Sequence, residues 1–590
     1  MTPARIFAVL LLLATAAPSA VAESVPQNTP TQAAGPATSV PQVVDRLIER
    51  EKETVKLTAK YHPLVETYLQ NVRPDPELGV VPVSDQYYLG RLDLTEAVPE
   101  RFYTGDRGTD DKRGNRILHA LDITRVTADP FKSGLGPLGF TGTIFPDAQG
   151  FDRSNYYFQF VRREFLGDVR CLLFQVVPKE DPGHGGFLGH VVPKKGSRHG
   201  RFLGRIWVED KDYNIVRFNG SYQHPERDEA TFHMDSWRSN VQPGVWLPSE
   251  VYSEEGDLRP GQPKDREQFK AQTRLWGYKL NMGARQEEFT QMTIEQASGP
   301  VKDESEAAAD WSPVVSLRHW QRSNEENVLD RLQQAGLLAA ASPVDDVLMT
   351  VVNNLIITNN LDLPEVHCRV LVTTPLETFT VGDTIVVSRG LLDVLPDEPS
   401  LAMVLSHELA HIVLGDQETT KYAFGDRVWT ADEDIFSDFN FQRTPAEEQA
   451  ADKKAIELLK SSPYKDKLAS AGLFLRQLEQ RAPAVPHLSK ARLGNRWVDE
   501  SRVLRMPELM NDAPQLEMRK LEQVAALPLG GRIKLDPWSN GVSLTKTKSV
   551  HLLSFREKMP LEIAPVMPHL TRLDTGNNLA ANVDTVKRPN

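Results

Sequence analysis

Residues 406–411 read Ser-His-Glu-Leu-Ala-His, and H-E-x-x-H has a use only on a helix. Histidines four positions apart lie one turn apart on one helix face, so His407 and His411 can reach a single metal ion. The surrounding sequence predicts that helix. Asp397-Glu398-Pro399 gives an N-terminal start, with acid in the first turn and proline early. Leu401, Leu405, Leu409 and Ile412 form an apolar stripe, and Gly415 stops it. Glu408 then stands beside the imidazoles, where it can take a proton from water without being a ligand.

A catalytic zinc takes three protein ligands and keeps a fourth position open. The third ligand is expected on a later element. Glu448-Gln449-Ala450-Ala451-Asp452 opens a second helical run, with Thr444-Pro445 as its start signals. Glu448 and Asp452 share a face of that run. Glu448 can coordinate the ion, and Asp452 can orient a ligand imidazole. Two imidazoles and one carboxylate suit zinc, one ion per chain.

H-E-x-x-H followed by E-x-x-A-D-x-x-A resembles metallopeptidase family forty-eight, the HtpX and CAAX-prenyl-endopeptidase family. Glu398, Leu401-Ala402 and Val404-Leu405 ahead of the motif are similar to that family as well. So is Thr384 to Leu392, which in the family forms the edge of a small sheet over the metal, where a substrate backbone is added as a strand. The resemblance covers about Pro313 to Arg496. It implies zinc, a gluzincin fold and endopeptidase activity on a protein or peptide substrate. By that likeness His407, His411 and Glu448 are the metal ligands, Glu408 is the general base, and Asp452 supports the ligand shell. Glu377-Thr378-Phe379 stands where the family often has Asn-Ala-Phe. Family members also tend to carry a His and an Arg after the third ligand. Pro486 to Arg492 is the candidate here, with His487 stabilising the oxyanion of the tetrahedral intermediate.

The rest of the 590 residues must hold more than one domain. The expected class is α+β and multidomain: a β-rich N-terminal region, an antiparallel sheet or half-barrel, then a mainly helical gluzincin-type domain with a small edge-strand sheet. Residues 1–22 read as a signal peptide, with Arg5, an apolar run and Ala20-Val21-Ala22 before Glu23. Residues 23–42 read as a flexible linker and 43–116 as a helical and extended segment, with a charged helix expected over Val43 to Leu69. Short β-type runs mark 117–296, including Tyr156 to Val161, Leu172 to Val177 and a hairpin of Arg205–Glu209 with Ile215–Phe218. A linker at 297–312 precedes the metallopeptidase domain at 313–500. β character returns in 501–574, and 575–590 reads as a disordered tail.

No segment after the leader is apolar for long enough to span a membrane, so the chain resembles the soluble periplasmic branch of the family. Export to the periplasm is expected, with peripheral envelope association left open. A net charge of -12 speaks against a nucleic-acid partner. Cys171 and Cys368, the only two cysteines, exclude a disulfide scaffold. His184, His190 and His199 match no ligand spacing and read as a solvated loop. His319, His367 and His551 are candidates for a fourth ligand that would cover the cleft. The rival reading puts the function in the β-rich region, as a chaperone-like carrier of lipid or unfolded protein with a silent peptidase domain.

Overall fold

The computed structural model describes residues 39–75, 79–93, 98–104, 143–179, 201–223, 233–255, 268–278, 325–416 apart from 334, 340 and 342, 440–499, 502–516, 533–536, 541–544 and, with gaps, 561–573. The signal-like segment, residues 23–38 of the first expected linker, the second linker, the tail, and His184, His190, His199, His319 and His551 lie outside them, while Val40 to Gln42, expected as the end of that linker, form the first turn of a helix.

Helix α1 (Val40–Thr58) buries Val44, Leu47, Ile48, Glu51, Thr54 and Thr58. Those positions recur every three or four residues, so the helix has a single packing face. It ends sooner than the sequence suggests. From Leu64 the chain is extended, because Leu64 and Tyr68 serve one core while Val65 and Leu69 serve another. That is the two-residue period of a strand buried on both faces.

Ten strands form one antiparallel sheet: β1 (Leu64–Asp75), β2 (Gly79–Asp93), β3 (Val98–Thr104), β4 (Tyr156–Leu166), β5 (Val169–Pro178), β6 (Arg201–Glu209), β7 (Ile215–Gln223), β8 (His233–Gln242), β9 (Val245–Glu254) and β10 (Gln268–Trp276). Their order is β3-β2-β1-β10-β9-β8-β7-β6-β5-β4. β1 lies against β10, with Thr67 opposite Thr273. The sheet therefore takes in strands well ahead of residue 117. The anticipated hairpin is β6–β7, with Trp207 opposite Arg217.

One face of the sheet packs on α1: Val44, Leu47 and Ile48 meet Val65, Leu69, Phe174, Ile206, Phe218 and Val251. Burying each such side chain stabilises the fold by about 1.5–3 kcal/mol. Glu51 on the helix accepts two 2.7 Å bonds from the buried Arg238 guanidinium on the sheet. On the opposite face Leu64, Tyr68, Tyr87, Leu89 and Tyr252 join the same core as the helical half of the chain. This shared core fixes the sheet against the site described below.

The helical half contains α2 (Pro343–Thr358), β11 (His367–Leu371), β12 (Glu377–Val381), β13 (Thr384–Ser388), α3 (Arg389–Val394), α4 (Glu398–Leu414), α5 (Pro445–Lys460), α6 (Leu468–Arg481), α7 (Pro486–Ser489) and β14 (Asn495–Arg496). A hairpin of β15 (Val498–Asp499) and β16 (Arg502–Val503) follows, and β17 (Ile533–Asp536) pairs with β18 (Gly541–Leu544). The architecture is α+β: a large antiparallel sheet, then a helical region with a small sheet.

The small sheet runs β11-β13-β12-β14, which corrects one expectation. Thr384–Ser388 is not an edge: β13 lies between β11 and β12, and all five of its residues are buried. A Thr-Ile-Val-Val run buried on both faces belongs at a sheet centre. β12 comes next, and β14 pairs only with its Glu377 and Thr378.

Cys171 and Cys368 are buried and form no disulfide, and burial pushes both thiols up to about 12. Among the described residues no helix is long and apolar enough to cross a membrane.

Candidate active site

α4 begins as its sequence indicates. Asp397 caps it by accepting from Ser400 N at 2.9 Å. Gly415 ends it in the left-handed region at φ 74°, where glycine carries no Cβ penalty. α5 starts on a capping box: the Thr444 hydroxyl accepts from Glu447 N, and the Glu447 carboxylate accepts from Thr444 N. The two helices pack together and bring three side chains to one point.

His407, His411 and Glu448 each offer a ligand atom, and these atoms lie within 4.8 Å of one another. His407 Nε2 is 3.1 Å from Glu448 Oε2, and His411 Nε2 is 3.3 Å from His407 Nε2. All three residues are buried. The far nitrogens are held by carboxylates. Asp452 Oδ1 lies 3.0 Å from His407 Nδ1, and Asp416 Oδ2 lies 2.8 Å from His411 Nδ1. Each imidazole therefore turns Nε2 to the centre. Arg505 Nη1 approaches Glu448 Oε2 at 2.9 Å.

Burial alone would lower the His407 imidazole, but Asp452, Glu448 and Glu408 outweigh it and push the ring up to about 9. Burial alone would raise Glu448, yet the two imidazoles and the Arg505 charge hold it well below the usual carboxylate range. This cluster of acids demands a buried positive charge. Glu448 Oε1 has no hydrogen-bond partner, although an unpaired buried carboxylate oxygen is costly. The donor set and the orphaned oxygen fit a divalent ion.

Glu408 is divided in its contacts. Oε1 accepts from the Thr378 hydroxyl and from Asn495 Nδ2 at 3.4 Å. Oε2 is buried with no partner. One oxygen anchors the carboxylate and the other is left to bind a proton.

His487 lies on α7 and is not in the ligand cluster. Its Nδ1 is 3.0 Å from Asp85 Oδ1, on strand β2 of the large sheet. His367, exposed at the start of β11, is also outside the cluster.

Sequence reasoning missed Asp416, Arg505, Thr378 and Asn495. Asp416 had a local signal, an acid directly after the glycine that ends the motif helix. The others reach the site through tertiary packing.

A buried His-His-Glu cluster on two packed helices, with a half-anchored glutamate beside it, is an arrangement suited to metal-assisted hydrolysis. Residues 345–426 match the model of Peptidase family M48. That match supports a metallopeptidase in this part of the chain, and it takes in His407, Glu408 and His411. No curated protein matches the chain. Among solved structures it is similar to a putative outer membrane lipoprotein-sorting protein domain from Vibrio parahaemolyticus, at 9% identity over 42% of this chain and 98% of that one, with a TM-score of 0.22. A DUF1329 family protein from Desulfovibrio piger is similar at 11% identity over 41% of this chain and 94% of that one, with a TM-score of 0.19.

Proposed function

We propose that the chain is a zinc-dependent endopeptidase that cuts exported or envelope proteins. The observation that carries this reading is Glu408, held through Oε1 with Oε2 unpaired, beside three converging ligand atoms. His407, His411 and Glu448 would hold the zinc. When bound, zinc supplies Lewis acidity that polarises the scissile carbonyl and makes water a stronger acid.

Glu408 Oε2 takes the proton as water attacks the carbonyl carbon, and Glu408 then returns it to the leaving amine. Thr378 and Asn495 keep the carboxylate from rotating away between the two transfers. Asp452 and Asp416 orient the two imidazoles. His487 stabilises the oxyanion. The signal-like leader supports a periplasmic location. Where Val44, Leu47 and Ile48 of α1 pack on the sheet, its apolar face is closed to a carried ligand, which favours the peptidase reading.

The test is elemental analysis of the purified protein, with casein cleavage by wild type and Glu408→Gln. About one zinc per chain in both, with cleavage lost in the variant, is the expected result. An active Glu408→Gln protein would overturn the role of Glu408.

A further inference from the structure

Asp85 belongs to the large sheet, yet most of its carboxylate serves the peptidase domain. Oδ1 accepts from His487 N at 3.0 Å and lies 3.0 Å from His487 Nδ1. Oδ2 accepts from Leu488 N at 2.8 Å and from the Tyr68 hydroxyl at 3.1 Å. Three of these four partners come from a helix 402 or 403 residues further along the chain. The carboxylate side chain has no solvent exposure. A buried carboxylate needs such donors, and here they fix one helical turn to the sheet.

That turn leads to the general base. Leu488 O accepts from Leu376 N at 2.8 Å. Two residues on, Thr378 donates to Glu408. Further along the same segment, Arg492, Leu493 and Gly494 donate their backbone N–H groups to Glu377 Oε2. Asn495 then pairs with Thr378 and reaches Glu408. The stretch from His487 to Asn495 is thus tied to Asp85 at one end and to Glu408 at the other.

The sheet holds the other side of this wall too. Glu66 on β1 accepts from Thr374 N at 2.6 Å, and Arg274 on β10 donates to Thr374 Oγ1 at 2.8 Å. Thr374 lies just ahead of β12.

We propose that Asp85 is a positioning residue of the peptidase site: from the sheet it fixes the tautomer and place of His487, and so makes the sheet part of the catalytic apparatus. This rests on the endopeptidase reading above and extends it. Asp85 Oδ1 accepts a hydrogen bond from Nδ1–H, which keeps a proton on Nδ1 and leaves Nε2 as the ring nitrogen turned away from that carboxylate. In the doubly protonated ring, Nδ1 donates to Asp85 and Nε2 donates to the oxyanion. An imidazole without this anchor would rotate, and a misplacement of 1 Å costs up to about 100-fold in rate.

The experiment compares full-length wild type, Asp85→Asn, His487→Ala and the double variant, with kcat and KM on a casein-derived fluorogenic peptide and zinc content for each. Asp85→Asn is expected to lower kcat about 10–100-fold, with KM changed less than about threefold and zinc retained. In the His487→Ala background the same substitution should lower kcat clearly less than in wild type, because only the backbone N–H bonds of residues 487 and 488 to Asp85 are then at stake. An equal loss in both backgrounds, or no loss in either, overturns the proposal.

A second readout needs no Asp85 variant. Nitrogen-15 spectra of histidine-labelled wild type, assigned with His487→Ala, should show a proton on Nδ1 of His487. A neutral ring protonated only on Nε2 overturns the proposal even if Asp85→Asn fails to fold. Zinc-loaded wild type that cleaves nothing would instead sink the endopeptidase reading, and this role with it. Active wild type beside fully active Asp85→Asn sinks the role of Asp85 alone.

Discussion

Asp416 and His411 face each other across the end of α4, with Oδ2 of the acid 2.8 Å from Nδ1 of the ring. Gly415 makes this possible. Its φ of 74° reverses the chain, so that Asp416 N bonds back to His411 O at 3.1 Å. Asp416→Ala should therefore weaken zinc binding about 10–100-fold, as loss of a ligand's supporting carboxylate does. Gly415→Ala tests the backbone contribution. Nothing lies within 4 Å of the added Cβ, so the cost is that of the left-handed conformation alone, about 1 kcal/mol by chemical denaturation. Unchanged zinc affinity in Asp416→Ala would remove the acid from the site's support.

Zinc binding should depend on pH through His407. In the metal-free protein this ring lies near 9, above its ordinary 6.5. A raised value in the folded state stabilises the metal-free fold fully below about 6.5, and that contribution is lost as pH rises through about 9. Zinc must displace this proton. Its affinity should rise about tenfold per pH unit below about 9 and level off above it. Competition with a chromophoric chelator across that range measures the slope, and a flat profile would contradict it.

Arg505 places a guanidinium against Glu448. Its side chain is 13% exposed, and its Nε donates to Arg496 O at 3.1 Å. The next residue, Met506, is buried with φ 46°, a costly conformation for a non-glycine. The chain bends sharply where the guanidinium meets Glu448. Arg505→Met should destabilise the metal-free protein by about 2 kcal/mol, the range for a hydrogen bond to a charged group. With zinc bound, the ion meets the charge of Glu448 and the loss should shrink. By linkage the variant then binds zinc more tightly than wild type. Melting curves with and without zinc read both effects, and equal losses in the two states would refute the argument.

The parts of the site written in local sequence were legible. The caps Asp397 and Gly415, the stripe on α4 and the Thr444 start of α5 each act within one helix, so spacing alone conveys them. β6 and β7 were legible because a short turn joins them. β1 was not: β2 follows it directly, but its other partner, β10, lies some 200 positions away, as Thr67 and Thr273 do at a separation of 206. Its apolar positions also passed for the end of a helix. Asp85 and Arg505 carry no local mark. Each is an ordinary charged residue until packing sets it against His487 or Glu448. The central place of β13 follows from its pairing with both β11 and β12, which a single strand's sequence does not encode.

Gly494 tests whether the wall around Glu408 matters apart from the metal. A Cβ there would lie 2.2 Å from Thr378 O and 2.8 Å from the Phe379 ring. The nearer atom is backbone, so β14 must move off β12. That would pull Asn495 from Glu408 and disturb the three N–H donors on Glu377. His407, His411 and Glu448 sit on α4 and α5, which the shift leaves in place. Gly494→Ala should therefore keep its zinc while losing about 1–3 kcal/mol of stability, the usual cost of overpacking. Its kcat should fall about tenfold or more, because the base is no longer aligned with the attacking water. Wild-type kcat at an unchanged melting temperature would mean that β14 gives way without cost, and that Thr378 alone holds Glu408.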